Sequence, residues 1–154
     1  MTIQELDIIE PALTGAKIIQ GKHPEIVFTS GRRTRVSQAR AMASNVVINR
    51  NWILETYRPT VESRACQDWV DKNRTADYAD TTIGLLGVLQ GFSDEDLANW
   101  NHHLAGLAFD IQPVVLNADQ IKADIKLLPN LNLFLEQEGG LTRWHVQFNP
   151  LTGG

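Results

Sequence analysis

The sequence predicts an α+β fold in which several helices pack on a small, mainly antiparallel sheet. Apolar residues in the first two thirds recur at the three- and four-residue spacing of helix faces, whereas in the last third they alternate as on half-buried strands. The 154 residues contain no repeat, low-complexity tract or linker, so residues 1–154 are read as one domain long enough to bury a core.

Each element has its own signal. Residues 25–29 (EIVFT) read as a short strand ended by Ser30-Gly31. Val36, Ala39, Met42, Ala43, Val46 and Val47 make one helical stripe, and Pro59 closes that region. A second helix carries Val61, Ala65, Cys66, Trp69 and Val70 on one face, and residues 83–89 form an apolar, buried helix. Ser93-Asp94-Glu95-Asp96 resembles a capping start for a short helix through Leu97 and Trp100. Bulky and small or polar residues then alternate over 106–111, a strand. Asn117 and Gln120 suit the start of another helix, which Pro129 ends. Residues 131–138 read as one more short helix, stopped by Gly139-Gly140. Trp144, Val146 and Phe148 alternate with Arg143, His145 and Gln147 in a terminal strand.

Composition excludes several classes of function. A hydrophobic content of 43% and a charged content of 21% are those of a globular protein, not of a disordered or membrane chain. A net charge of -4 argues against nucleic-acid binding, so a helical nucleic-acid-binding domain built on Arg32, Arg33, Arg35 and Arg40 is disfavoured. Cys66 is the single cysteine, which removes disulfide frameworks and thiolate zinc clusters. Glu5, Asp7 and Glu10 interrupt any signal-peptide core, and no stretch reaches a membrane span of about 20 apolar residues. The expectation is cytoplasmic synthesis without membrane insertion.

Strand parity gathers a candidate metal site. With Leu107, Phe109 and Ile111 inward, Asp110 faces the other way; with Trp144, Val146 and Phe148 inward, His145 and Gln147 share that opposite face. His103, just before Gly106, can reach over the strand end to join Asp110 and His145. Three such ligands leave a fourth tetrahedral position for water, as in a catalytic zinc site, and Ala108 leaves room beside a metal.

The segment from His103 to Asp110 resembles the His-x-x-Gly-x-Ala-x-Asp motif of VanY-type D-Ala-D-Ala carboxypeptidases and related phage endolysins. Ser30-Gly31-Arg32-Arg33 is similar to the family's Ser-Gly-x-Arg, and Arg143-Trp144-His145 to the end of its Glu-x-Trp-His. The three occur in the family's order between Ser30 and His145. The resemblance implies the small α+β fold of the hedgehog and D-Ala-D-Ala peptidase type with one zinc site. It implies Zn2+ held by His103, Asp110 and His145, with Arg33 holding a substrate carboxylate or carbonyl oxygen. A guanidinium suits that task because its planar fork recognises carboxylates bidentately.

Two positions depart from the family. Asn101 stands where Ser is usual two residues before the first His, and Asn can orient a ligand or cap a turn. Thr142 occupies the place of the catalytic Glu and cannot serve as a base. Glu138 is the replacement candidate, with Glu136 behind it: at a helix C-terminus the macrodipole would raise its pKa, and Gly139-Gly140 could let it fold back.

Other residues receive structural readings. His23 and His102 are expected at the surface, His102 being near enough to be a swapped ligand or supporting donor. Arg35 and Arg40 are expected on the solvated face of their helix. Trp52, Trp69, Trp100 and Trp144 are expected to pack, with Trp100 alternatively lining a groove.

Together these imply a monomeric zinc metallopeptidase acting on peptidoglycan stem or cross-link peptides. The phage endolysin branch of the resemblance implies that it reaches the cell wall through membrane lesions made by a separate protein. The rival reading is a zinc-containing cell-wall-binding module that has lost hydrolysis.

Overall fold

The computed structural model describes residues 1–138 and 140–151. A 3-10 turn at Gln4–Leu6 precedes α1 (Ala12–Lys22), β1 (Phe28–Ser30), α2 (Arg35–Val46), α3 (Trp52–Thr56), α4 (Val61–Lys72) and α5 (Tyr78–Gln90). There follow α6 (Asp94–Trp100), α7 (His102–Ala105), β2 (Ala108–Ile111), α8 (Ala118–Lys126), β3 (Leu131–Glu138) and β4 (Leu141–Phe148). The α+β expectation holds: eight α-helices and a four-stranded sheet occur among the described residues. None of those helices is long and apolar enough to cross a membrane.

The described residues fall into two units. The first comprises Met1–Arg32, Ala105–Gln137 and residues 142–151; the second comprises Arg33–Leu104, Glu138 and residues 140–141.

The first unit holds the sheet, in the order β1-β2-β4-β3. β1 and β4 each run antiparallel to β2. Phe28, Phe109, Ile111, Trp144, Val146 and Phe148 are buried in one apolar cluster with Ala12, Ala16 and Ile19 of α1 and Ile121 and Ile125 of α8. Burying each large side chain of this kind contributes roughly 1.5–3 kcal/mol. The ring of Phe109 lies 5.3 Å from that of Phe28 and 5.6 Å from that of Phe148, spacings at which aromatic rings attract. Lys122 on α8 pairs with Glu136 at 2.6 Å and lies 5.5 Å over the Trp144 ring.

The second unit is helical. Ala39, Met42, Val46, Trp52, Ile53, Cys66, Val70, Leu85, Leu89, Leu97 and Trp100 form its core. Thr34 and Thr60 begin α2 and α4 with reciprocal capping bonds, to Ser37 and Ser63 respectively, that satisfy otherwise unpaired backbone donors. Ser93 caps α6 by accepting from the Asp96 N–H, as its motif predicts. Cys66 is fully buried, and burial first, then the negative charge of Glu62, pushes its thiol pKa up to about 12.

Several expectations are corrected. Residues 131–138 form β3 and not a helix. Leu131, Leu133 and Leu135 alternate with Asn132, Phe134 and Glu136, and pairing with β4 outweighs the helix propensity of Leu, Glu and Gln. The expected stop at Gly139-Gly140 falls partly outside the described residues; Gly140 has φ +81°. The first strand begins three residues later than expected, and its last residue is Ser30. Val61 and Ile83 are exposed, at 69% and 70%, because Val61 opens α4 and Leu85 and Leu89 form the inward face of α5. His23 is buried, with its ring 2.7 Å from Asp124 on α8. His102 is half-buried. Arg40 is exposed as expected, but Arg35 donates to the Leu89 and Phe92 carbonyls and pairs with Asp94 at 2.7 Å.

Candidate metal centre

The backbone explains two glycines of the motifs. Gly106 has φ +75°, and a Cβ there would meet the Arg32 guanidinium at 2.6 Å. That guanidinium is held in turn by the Asp7 carbonyl, 2.9 Å from Arg32 Nε. At Gly31 a Cβ would collide with the backbone of Leu6, whose carbonyl accepts from the Arg32 N–H. Both glycines therefore fix the chain beside β1 and β2.

The sheet register then aligns the polar face. Ser30 is opposite Asp110, and Asp110 is opposite His145, so three strands place these residues in one row. Ser30 Oγ donates to Asp110 Oδ2 at 2.6 Å, while Asp110 Oδ1 lies 3.0 Å from His145 Nδ1. Ala108, fully buried, pairs with Gln147 at the next position on this face.

His103 lies on α7, a single turn that Asn101 organises. The Asn101 side-chain oxygen accepts from the backbone N–H groups of His103 and Leu104, at 2.9 and 3.3 Å. Asn101 thus does the capping that its chemistry allows. His103 is 4% exposed, and its carbonyl accepts from the Arg33 N–H at 3.0 Å.

Ligand-type atoms of His103, Asp110 and His145 all lie within 4.8 Å of one another. The expected trio is brought together. The donor set fits a divalent cation on chemical grounds. Tetrahedral zinc with bonds of about 2.0–2.1 Å sets its ligand atoms roughly 3.3–3.5 Å apart, within reach of small side-chain adjustments. Asp110 Oδ1 and His145 Nδ1 are already close to that spacing, and at 3.0 Å either a ring N–H donates to the carboxylate or a metal ion takes that proton's place.

The two expected catalytic residues, Arg33 and Glu138, belong to the second unit. Arg33 Nη1 donates to Gln38 Oε1 at 3.2 Å, and Gln38, fully buried, donates from Nε2 to the Tyr57 hydroxyl at 2.9 Å. Burial raises the Tyr57 pKa above its usual value; the positive Arg33 opposes the shift, the negative Glu138 adds to it, and the Gln38 hydrogen bond lowers it. Both charges therefore act at one phenol. Glu138 ends β3, so the helix-terminus argument for its basicity does not apply. Glu136, the second candidate, is held below the usual carboxylate range, first by its hydrogen bond from Lys122, which disfavours it as a base near neutrality. Thr142 is exposed.

Trp100 packs rather than standing free: it is 8% exposed, with its ring 5.0 Å from Tyr57. Ser30, Gln38, Tyr57 and Gln147 were not assigned roles by sequence reasoning. Gln147 had a usable signal, since it lies two residues from His145 on the same strand face. Gln38 and Tyr57 had none, because only the packing of α2 and α3 joins positions 19 residues apart. No family model matches the chain, and no curated protein or solved structure is significantly similar to it.

Proposed function

We propose that the chain is a zinc-dependent peptidase that hydrolyses an amide bond in the stem or cross-link peptides of bacterial cell wall, of the endolysin kind. The observation that carries this reading is the convergence of His103, Asp110 and His145. The three ordered motifs between Ser30 and His145 support the substrate class.

When bound, zinc supplies Lewis acidity towards the scissile carbonyl and the attacking water. His103, Asp110 and His145 would hold it, with Ser30 keeping the Asp110 carboxylate oriented through Oδ2. Arg33 binds a carboxylate or carbonyl oxygen of the peptide; its bonds to Gln38 and, through its backbone, to His103 hold the guanidinium ready. Glu138 takes a proton from the attacking water and delivers it to the leaving amine. Glu138 ends β3, so no helix dipole acts on it, and like Arg33 it lies near enough to Tyr57 for its charge to bear on the phenol.

Turnover of purified peptidoglycan, followed by mass spectrometry of released fragments, tests the reading alongside metal analysis. Wild type should carry one zinc per chain and lose activity with a chelator. His103→Ala and His145→Ala should lose the metal. Glu138→Gln should keep it while slowing turnover about 100-fold or more. Arg33→Lys should also slow turnover without loss of zinc, because the planar fork is gone. Stoichiometric zinc in both histidine variants would sink the ligand assignment. Zinc with no turnover in wild type would favour the binding module.

A further inference from the structure

The Asp110–His145 pair is continued by a chain of amides. His145 Nε2 lies 2.7 Å from Gln147 Oε1, Gln147 Nε2 donates to Asn132 Oδ1 at 2.6 Å, and Asn132 Nδ2 donates to Asn149 Oδ1 at 2.8 Å. The Gln147 and Asn132 nitrogens are each committed to the next residue along, so the oxygen of each faces back towards the ring. An amide oxygen only accepts, and the ring nitrogen opposite it must therefore carry a proton.

We infer that Gln147 is the positioning residue that holds the His145 ring through Nε2, so that Nδ1 is the nitrogen directed at the position it would share with Asp110 in holding a metal. The inference rests on the metal reading proposed above and extends it to a residue outside the ligand set. Two geometric facts carry it. Gln147 is on β4 two residues beyond His145, so the pleat places both on one face. Asn132 on neighbouring β3 fixes which end of the amide faces the ring. A histidine ligand whose second nitrogen is held this way loses little rotational freedom on binding, and removal of such a partner commonly weakens a site about 10–100-fold.

The test uses the full chain, with zinc alone as probe. Nitrogen NMR of the zinc-loaded protein should find the metal on His145 Nδ1 and the proton on Nε2 in wild type. Competition with a chelator should show zinc bound about 10–100-fold more weakly by Gln147→Leu. Gln147→Glu, which still offers an acceptor oxygen, should recover most of the affinity. Asn132→Ala, at an exposed position that the fold tolerates, should produce a smaller loss in the same direction. Zinc bound through His145 Nε2 in wild type, or zinc affinity unchanged within twofold in both Gln147→Leu and Asn132→Ala, overturns the inference. If wild type binds no zinc yet keeps a Gln147-dependent Nε2 proton, the metal reading fails while the hold of Gln147 on the ring stands.

Discussion

A histidine can be a ligand, a structural acceptor or a surface group, and residue type alone does not separate these. His103 and His145 converge with Asp110, whereas His23 is buried against Asp124, far along the chain. Its ring hydrogen bond is the main reason that the Asp124 carboxyl is held below its ordinary value of 3.8, with the Gln120 amide second and the charges of Lys22 and His23 behind. A carboxyl depressed in the folded state stabilises the protein above its unfolded value, and that contribution disappears as pH falls through the folded one. Thermal melts from about pH 5 to about pH 3 should therefore show a steeper fall in Tm for wild type than for Asp124→Asn. Parallel slopes would mean that this pair contributes nothing to the acid limb. The surface expectation for His23 failed because its partner lies 101 residues away, and a one-dimensional pattern carries no sign of it.

At the scale of elements, legibility followed the period and the caps. The β4 stripe was readable because Trp144, Val146 and Phe148 alternate without interruption, and α6 because Ser93 marks its start. Helix α1 was passed over although Ala12, Ala16 and Ile19 lie on one helical face; two of the three are alanines, too small for a strong apolar signal. β3 was misread because its composition favours helix while its alternation favours strand, and only the neighbouring β4 decides. The glycines of the site motifs belong to this scale as well. Gly106→Ala should cost about 1–2 kcal/mol for the left-handed backbone alone, measured by denaturant unfolding. The clash with Arg32 should add to that, so the penalty should shrink in an Arg32→Ala background. Equal penalties in both backgrounds would remove the guanidinium from the account.

Across the whole molecule, the candidate site was legible wherever strand parity or a motif spoke, and illegible where support comes from distant packing. Asp110 and His145 followed from alternation, and His103 from its place before Gly106. The Gln38–Tyr57 connection to Arg33 did not, since it exists only once α2 and α3 have packed. That helical unit also encloses Cys66, whose thiol is both sealed from solvent and kept protonated. Because thiolate rather than thiol attacks most reagents, the native side chain is chemically silent near neutrality. Silence makes it a clock. A maleimide or disulfide reagent can modify this chain's single sulfhydryl only during excursions that open the core around α4, so the modification rate counts those openings. At low reagent concentration the rate should rise in proportion to reagent; at high concentration it should level off at the opening rate itself. A rate matching that of a free cysteine peptide would show that the core around Cys66 is not closed in solution.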